Sequence, residues 1–108
     1  MVVTVPERKT RKVQQLREAA VVAIADLRAY AIQHAGHFII FGSVARNDIR
    51  FDSDFDVVVD FPGELGPQAR DYVETLCTGL GLCADAYFIA EIGQDLRLRI
   101  DRDGIMLP

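Results

Sequence analysis

The sequence predicts an α/β protein with a small mixed β-sheet of about four strands and helices packed on one face. Three observations lead to this prediction. Segments with apolar residues at helical spacing alternate with short, β-branched apolar runs. Glycine or proline stands at the ends of several of these segments, as it does at helix and strand boundaries. The resulting order, α-β-(short α)-β-α-β-α-β, is typical of layered α/β domains.

The first helix is predicted over residues 7–35 by an apolar stripe at steps of three and four. The stripe consists of Val13, Leu16, Ala20, Ile24, Leu27 and Ala31. We expect Gly36 to end the helix, with His34 in its last turn. The beginning, ERKTRK, is basic, and cations at a helix N-terminus oppose the helix dipole. We therefore expect residues 1–12 to fray.

The next segments predict two strands with a short helix between them. The run HFIIF, at 37–41, is apolar and ends at a Gly-Ser pair, which indicates a buried strand. The run FDVVVDF, at 55–61, ends at Pro-Gly and predicts a second strand. We expect the short helix over residues 44–48.

The second half predicts a helix, a strand, a short helix and a last strand. Pro67 begins a helix that two glycines end. Its apolar face consists of Ala69, Tyr72, Val73, Leu76, Cys77 and Leu80. Residues 82–90, LCADAYFIA, predict the third strand. A short helix over 94–101 and, after an Asp-Gly turn, a strand over 105–107 complete the chain.

Size and charge limit the classes of function. The chain has 108 residues, of which 50% are hydrophobic, so we expect one domain over residues 1–108. The net charge of −4 argues against sequence-blind nucleic-acid binding, because that requires a basic surface, but it does not exclude a nucleotide. No apolar run reaches the ~20 residues of a membrane helix, and the N-terminus lacks the order of a signal peptide. We therefore expect a cytoplasmic protein.

The chain has two cysteines, Cys77 and Cys83, and both stand in apolar patterns. They form no Cys-x-x-Cys pair, and two cysteines with two histidines lack the spacing of a zinc site. We expect both to be buried free thiols in a reducing compartment.

The strongest functional signal is a pair of carboxylates. Asp54 and Asp56 begin the second predicted strand, and residues two apart in a strand share a face, so both carboxylates project together. Carboxylates held side by side repel, and one of them tends to have a raised pKa. A divalent cation removes this conflict. Mg²⁺ in particular prefers oxygen ligands and commonly takes one or two carboxylates plus substrate phosphates.

Ten residues before this pair, Gly42 and Ser43 end the first predicted strand. Glycine lets the backbone approach a ligand closely, and Ser43 offers a hydroxyl at the start of a short helix, whose free N–H groups favour an anion. Arg46 adds a charged donor suited to phosphate. Asp85 lies in the third, apolar strand, where an unpaired charge would be costly. A metal shared with the two earlier aspartates is one partner for it.

These motifs together resemble the nucleotidyltransferase superfamily of the polymerase-β type. The resemblance rests on Gly-Ser, ten residues, Asp-x-Asp and a later Asp in the third strand. The local form GSVARN…SDFDVVVDF and the closing RIDRDGIML resemble the minimal nucleotidyltransferases, over about residues 15–107. One departure is Asn47, where the family commonly has glycine. Asparagine tolerates left-handed geometry better than most residues.

The resemblance implies the nucleotidyltransferase fold and transfer of AMP from a nucleoside triphosphate, most often ATP, with two Mg²⁺ ions. Asp54 and Asp56 would hold both ions. Asp85 would bind one ion and serve as the base. Gly42 and Ser43 would hold the β- and γ-phosphates. Minimal members of the family are often antitoxins beside a HEPN-type ribonuclease toxin, and they can transfer AMP units onto a tyrosine of that toxin.

Three functions remain open at this point. The first is an Mg²⁺-dependent adenylyltransferase that acts as an antitoxin on a toxin tyrosine. The second is an antitoxin that neutralises its partner by contact while the active site is idle. The third is nucleotidyl transfer to RNA or a small molecule. The acidic balance counts against RNA, and an antibiotic acceptor would usually need a pocket from a second domain. An oligomer is compatible with all three.

Overall fold

The computed structural model describes residues 5–108. Its elements are α1 (Val5–His34), β1 (His37–Phe41), α2 (Gly42–Ala45), β2 (Phe55–Asp60), α3 (Leu65–Leu80), β3 (Ala84–Phe88), a 3₁₀ turn (Ile89–Glu91), α4 (Gln94–Asp103) and β4 (Ile105–Leu107). This order confirms the predicted alternation of helices and strands, and the α/β fold class with it. Of the segment predicted to fray, residues 1–4 lie outside the described residues, and Val5 to Lys12 belong to α1.

The four strands form one mixed sheet in the order β3-β2-β1-β4. Strand β1 is antiparallel to both β2 and β4, whereas β2 is parallel to β3. In this register Phe41 lies opposite Asp56, and Asp56 lies beside Asp85. The end of β1 and the beginnings of β2 and β3 therefore meet at one end of the sheet.

Helices α1 and α3 cover one face of the sheet, called here the closed face. Their buried residues confirm most of both predicted stripes, namely Leu16, Ala20, Leu27 and Ala31 on α1, and Ala69, Val73 and Cys77 on α3; Ala23 is buried as well, although it was not predicted. They pack on alternate strand residues, namely Phe38, Ile40, Phe55, Val57 and Val59. Within residues 5–108 no polar or charged residue is fully buried. The main core is therefore entirely apolar.

The opposite face, called here the α4 face, is covered only in part. A smaller cluster joins Ile39, Phe41 and Val58 of the sheet to Ile100 of α4, with Leu96 packed beside it. The two long helices share one face as predicted, while α4 lies on the other. The apolar residues by which it packs, Leu96 and Ile100, are one helical turn apart and so form a narrow stripe, whereas Leu98 is exposed.

The end of α1 shows why two consecutive small residues stand there. The helix ends at His34, and the left-handed residue that follows is Ala35, with φ of 55°, rather than Gly36. The N–H of Gly36 donates to the carbonyl of Ala31 over 3.2 Å. Glycine at position 36 serves packing instead, because a Cβ there would collide with the ring of Phe61.

The two cysteines differ in exposure. Cys77 is buried on α3, as predicted, and its pKa is raised to about 11 because burial disfavours the thiolate. Cys83 is an exposed free thiol, so the prediction of a buried residue was wrong there. The reason is that β3 begins at Ala84 instead of residue 82. Cys83 lies before the strand and contributes its carbonyl to the N–H of Phe55, at 2.8 Å.

None of the helices in residues 5–108 is long and apolar enough to cross a membrane.

Candidate active site

The sheet register brings the three predicted aspartates to one end of the α4 face. Asp56 and Asp85 are neighbours on the parallel strands β2 and β3, and both are half-buried. Asp54 stands two residues before Asp56, just ahead of β2, and is exposed to solvent. Three carboxylates that are far apart in sequence thus share one end of the sheet.

The charges of these carboxylates influence one another. The pKa of Asp56 is raised from 3.8 to about 6, first because burial disfavours its charge and then because Asp85 and Asp54 are close. The guanidinium of Arg46 opposes this by lowering the pKa of Asp56. Near neutral pH the site therefore holds negative charge that a cation would stabilise.

The Gly-Ser pair lies directly against this group. Helix α2 is a single turn that begins at Gly42, two residues earlier than predicted, so Gly42 and Ser43 are part of its first turn. Gly42 has φ of 72°, a left-handed conformation, and a Cβ on it would collide with Oδ2 of Asp56. Glycine is required here both for the backbone conformation and for the close approach to the carboxylate.

The turn that follows α2 explains Asn47. This residue has φ of 55°, and its N–H donates to the carbonyl of Val44 over 3.1 Å. The next N–H, of Asp48, donates to the carbonyl of Ser43 over 2.8 Å. Asparagine is among the residues that adopt left-handed geometry most readily. It therefore fits this turn, at a position where the family that the sequence resembles commonly has glycine.

A cavity of about 480 Å³ lies between this end of the sheet and α4. Its lining residues are Phe41, Gly42, Ser43, Arg46, Asp56, Tyr87, Leu96, Arg99 and Asp103. Four predicted site residues are among them, and the other two, Asp54 and Asp85, act on Asp56 by their charge. The volume lies in the range of ~300–1,000 Å³ that is usual for small-molecule sites.

Arg46 is exposed and lines the cavity. Asp48, a candidate partner close to it in sequence, pairs instead with Arg50, with 3.8 Å between Oδ2 and the guanidinium nitrogen. The positive charge of Arg46 acts on Asp56. It therefore stands where it can offset the charge of a phosphate in the cavity.

Asp85 has a hydrogen-bond partner that the sequence analysis did not name. The hydroxyl of Tyr87 donates to Oδ2 of Asp85, with 2.8 Å between the oxygens. This bond is the main cause of a raised pKa of Tyr87, followed by burial and by the charges of the three aspartates. The signal was present in the sequence, because Tyr87 is two residues after Asp85 and must share its face.

Helix α4 contributes three further lining residues, Leu96 and the charged Arg99 and Asp103, that the sequence analysis did not place at the site. Asp103 makes an ion pair with the adjacent Arg102, at 2.9 Å. Arg99 and Asp103 both lie in the closing RIDRDGIML segment of the family resemblance, which assigned neither of them to the site. They reach the cavity only because α4 packs on the α4 face.

The carboxylates suit magnesium in chemistry but do not form a closed set of ligands. Within residues 5–108, no three His, Cys, Asp or Glu side chains stand together as a ready metal cage. Mg²⁺ does not require one, because it takes one or two carboxylates and completes its shell with water and phosphate oxygens. The raised pKa of Asp56 means that its negative charge is disfavoured, first by burial and then by the nearby carboxylates, and a bound cation would offset this cost. On this observation Asp54, Asp56 and Asp85 fit the ion.

The structure places a Gly-Ser turn against an Asp-x-Asp strand, with a third Asp on the next strand, and this is the arrangement that the resemblance to the nucleotidyltransferases implies. The family model for the nucleotidyltransferase domain matches residues 33–105, more than half of the chain. The chain belongs to this family, and the predicted resemblance is confirmed. No curated protein gives a significant match.

Solved structures share the fold. One described as a minimal nucleotidyltransferase has a TM-score of 0.66 and 26% identity, over 82% of this chain and 93% of that one. A toxin–antitoxin structure with AMP-PNP has a TM-score of 0.55 and 22% identity, over 67% of this chain and 59% of that one. A mutant of the toxin–antitoxin MntA-HpeT has a TM-score of 0.52 and 19% identity, over 67% and 58%. The last two likenesses concern the fold alone.

Proposed function

We propose that this chain is a magnesium-dependent nucleotidyltransferase that transfers AMP from ATP to a hydroxyl group. We further propose that the acceptor is a tyrosine of a HEPN-type toxin, so that the chain acts as an antitoxin. The observation that carries the proposal is the contact of the Gly42 turn with Asp56 inside the cavity. It joins backbone suited to phosphate and a carboxylate suited to a metal in one place.

The triphosphate would lie along α2. Gly42 and Ser43 offer backbone N–H groups of the first helical turn, whose donors have no acceptor within the helix, and Ser43 adds its hydroxyl. Arg46 supplies positive charge at the same cavity. In this pose the α-phosphate points toward Asp56, since the turn lies directly against that carboxylate.

The aspartates would support the transfer itself. Asp54, Asp56 and Asp85 would hold magnesium, which neutralises phosphate charge and lowers the pKa of the acceptor hydroxyl when bound. Asp85 would accept the proton of that hydroxyl as a general base. The acceptor oxygen then bonds to the α-phosphorus, the bond from the α-phosphorus to the bridging oxygen breaks, and pyrophosphate leaves.

The proposed partner rests on the comparisons. Two of the structures that share this fold are called toxin–antitoxin, and one of them contains AMP-PNP. With identities of 22% and 19% they share the fold of this chain, and co-expression with the toxin is the experiment that tests the partner.

The first experiment measures nucleotide binding without knowledge of the acceptor. The non-hydrolysable analogue α,β-methylene ATP is titrated by calorimetry, with and without Mg²⁺, into the wild type and the double variant Asp54→Ala/Asp56→Ala. Asp60→Ala is the matched control, because Asp60 lies at the opposite end of β2 and pairs with His37. We expect Mg²⁺-dependent binding in the wild type and the control, and none in the double variant. Equal binding by all three would overturn the site assignment.

The second experiment separates catalysis from contact. The toxin gene is co-expressed with the wild type or with the double variant, and survival is measured together with the mass of the toxin. We expect only the wild type to restore growth and to add AMP to a toxin tyrosine. Rescue by the double variant with no added mass would mean that neutralisation occurs by contact.

A further inference from the structure

The three tyrosines of the chain occupy two very different environments. Tyr30 and Tyr72 stack on each other beside the closed face, with ring centroids 4.3 Å apart. Tyr87 projects from β3 on the α4 face and lines the cavity that also contains Gly42, Ser43 and Asp56. One phenol is therefore already inside the proposed nucleotide site.

The position of the Tyr87 side chain is well defined. Its ring packs near that of Phe41, with centroids 6.0 Å apart. Its hydroxyl donates to Oδ2 of Asp85 over 2.8 Å. The side chain is half-buried, so the hydroxyl is reachable from the cavity.

A hydroxyl within hydrogen-bond reach of a carboxylate, beside donors for the group under attack, is the signature of a nucleophile and its base. The carboxylate in question, Asp85, is the base in the proposed function. We propose that Tyr87 is an internal acceptor and that the chain transfers AMP from ATP to its own Tyr87 hydroxyl. This inference rests on the proposed nucleotidyltransferase activity and names an acceptor for it.

The transfer balances with ATP as the only co-reactant. A bond forms between Oη of Tyr87 and the α-phosphorus. The bond from the α-phosphorus to the oxygen that bridges it to the β-phosphate breaks, and its electron pair leaves with pyrophosphate. The phenolic proton passes to Asp85 and then to water. The product is a phosphodiester on Tyr87.

The modification limits itself. AMP attached to Tyr87 occupies the cavity of about 480 Å³ from which it was transferred, so a second nucleotide cannot enter. An external tyrosine must also approach Asp85 where the hydroxyl of Tyr87 now lies. Transfer to Tyr87 therefore competes with transfer to a partner and ends the activity of the modified chain.

The test follows the mass of the chain. The full chain is incubated with ATP and Mg²⁺ at several protein concentrations, and intact mass and peptide mapping are recorded. We expect a gain of one AMP per chain on Tyr87, at a rate independent of protein concentration, because the acceptor is in the same molecule. Tyr87→Phe and Asp54→Ala/Asp56→Ala should gain no mass. Tyr30→Phe should behave as the wild type, because Tyr30 lies away from the cavity.

A binding measurement gives a second readout. After incubation with ATP and removal of free nucleotide, the wild type should lose its affinity for α,β-methylene ATP. Whatever affinity Tyr87→Phe has before this treatment should be unchanged by it. The inference is wrong if the wild type binds the analogue with Mg²⁺ but Tyr87 stays unmodified, or if AMP appears on another residue instead. In either case the proposed nucleotide site is retained. If the analogue does not bind at all, the proposed function falls as well. The wild-type mass map decides the matter even if Tyr87→Phe folds poorly.

Discussion

The two faces of the sheet arise from the same strands, but only the α4 face carries charged residues beside its apolar ones. On the closed face, alternate residues of β1 and β2 are apolar and fully buried, among them Phe38, Val57 and Val59. On the α4 face, the residues between them include Asp56 at one end of β2 and Asp60 at the other. A step of one residue along a strand separates an apolar core from a charged cavity.

This difference shows how a small chain separates stability from chemistry. The closed face stabilises the fold by removing apolar surface from water, roughly 25 cal/mol per Å². On the α4 face, burial first and the charges of Asp85 and Asp54 second raise the pKa of Asp56 and so disfavour its negative charge. The cost of this charge opposes folding and favours a cation. Substitutions should therefore act on the free energy of unfolding at one face and on ligand binding at the other.

The largest expected effect is on the closed face. Phe38→Ala removes a fully buried ring that packs on Tyr30 and Phe61, so we expect a loss of ~3–5 kcal/mol in the free energy of unfolding. Phe51→Ala is the matched control, because Phe51 is 44% exposed and should cost less than about 1 kcal/mol. Chemical denaturation of both variants measures the two values. Equal losses would contradict the division between the closed face and the surface.

The next effect is at the junction of fold and site. Gly42→Ala places a Cβ against Asp56 and forces alanine into a left-handed conformation, so we expect a loss of ~1–3 kcal/mol and loss of nucleotide binding. Asn47→Gly changes the other left-handed residue of the same turn and should stay within about 0.5 kcal/mol of the wild type. Thermal melts and calorimetry measure both quantities. Normal analogue binding by Gly42→Ala would show that the turn does not contact the nucleotide.

A smaller, pH-dependent effect is expected at Asp56. Its pKa in the folded chain, about 6, is above the unfolded value of 3.8, so its contribution to stability is full below pH ~4 and is lost as the pH rises through 6. Asp56→Asn removes the repelling charge, so its melting temperature relative to the wild type should rise between pH 5 and pH 8. Melts at both pH values test this, with Asp60→Asn as the control on the same strand. A difference that shrinks toward pH 8 has the wrong sign for this account.

The smallest effect belongs to neither face. Ala35 adopts φ of 55° at the end of α1, a conformation that carries a penalty for alanine and none for glycine. We expect Ala35→Gly to raise the free energy of unfolding by ~0.5–1 kcal/mol without any change in analogue binding. Gly36→Ala, one residue on, should instead destabilise the chain, because its Cβ would collide with Phe61. Denaturation of the two variants should therefore give opposite signs.

The sequence by itself determined the fold class and the two motifs. Helical stripes and the alternation of residues along strands depend on neighbours a few positions away, so α1, β1, β2 and the buried face of α3 could be predicted to within a few residues. The number of residues between Gly42-Ser43 and the pair Asp54 and Asp56 can likewise be read directly from the sequence. The left-handed conformation of Asn47 is compatible with what the sequence indicates, because the tolerance of asparagine for positive φ is a property of that single residue.

Only the tertiary structure decided what completes the cavity. The hydrogen bond between Tyr87 and Asp85 depends on side-chain positions as well as on the alternation along β3. Arg99 and Asp103 reach the cavity because α4 packs on the α4 face, and the short apolar stripe of α4 does not specify which face of the sheet it covers. The exposure of Cys83 and the earlier start of α2 depend in the same way on where strands pair and end. Local periodicity is encoded by adjacent residues, whereas these contacts join segments that meet only when the sheet and its helices assemble.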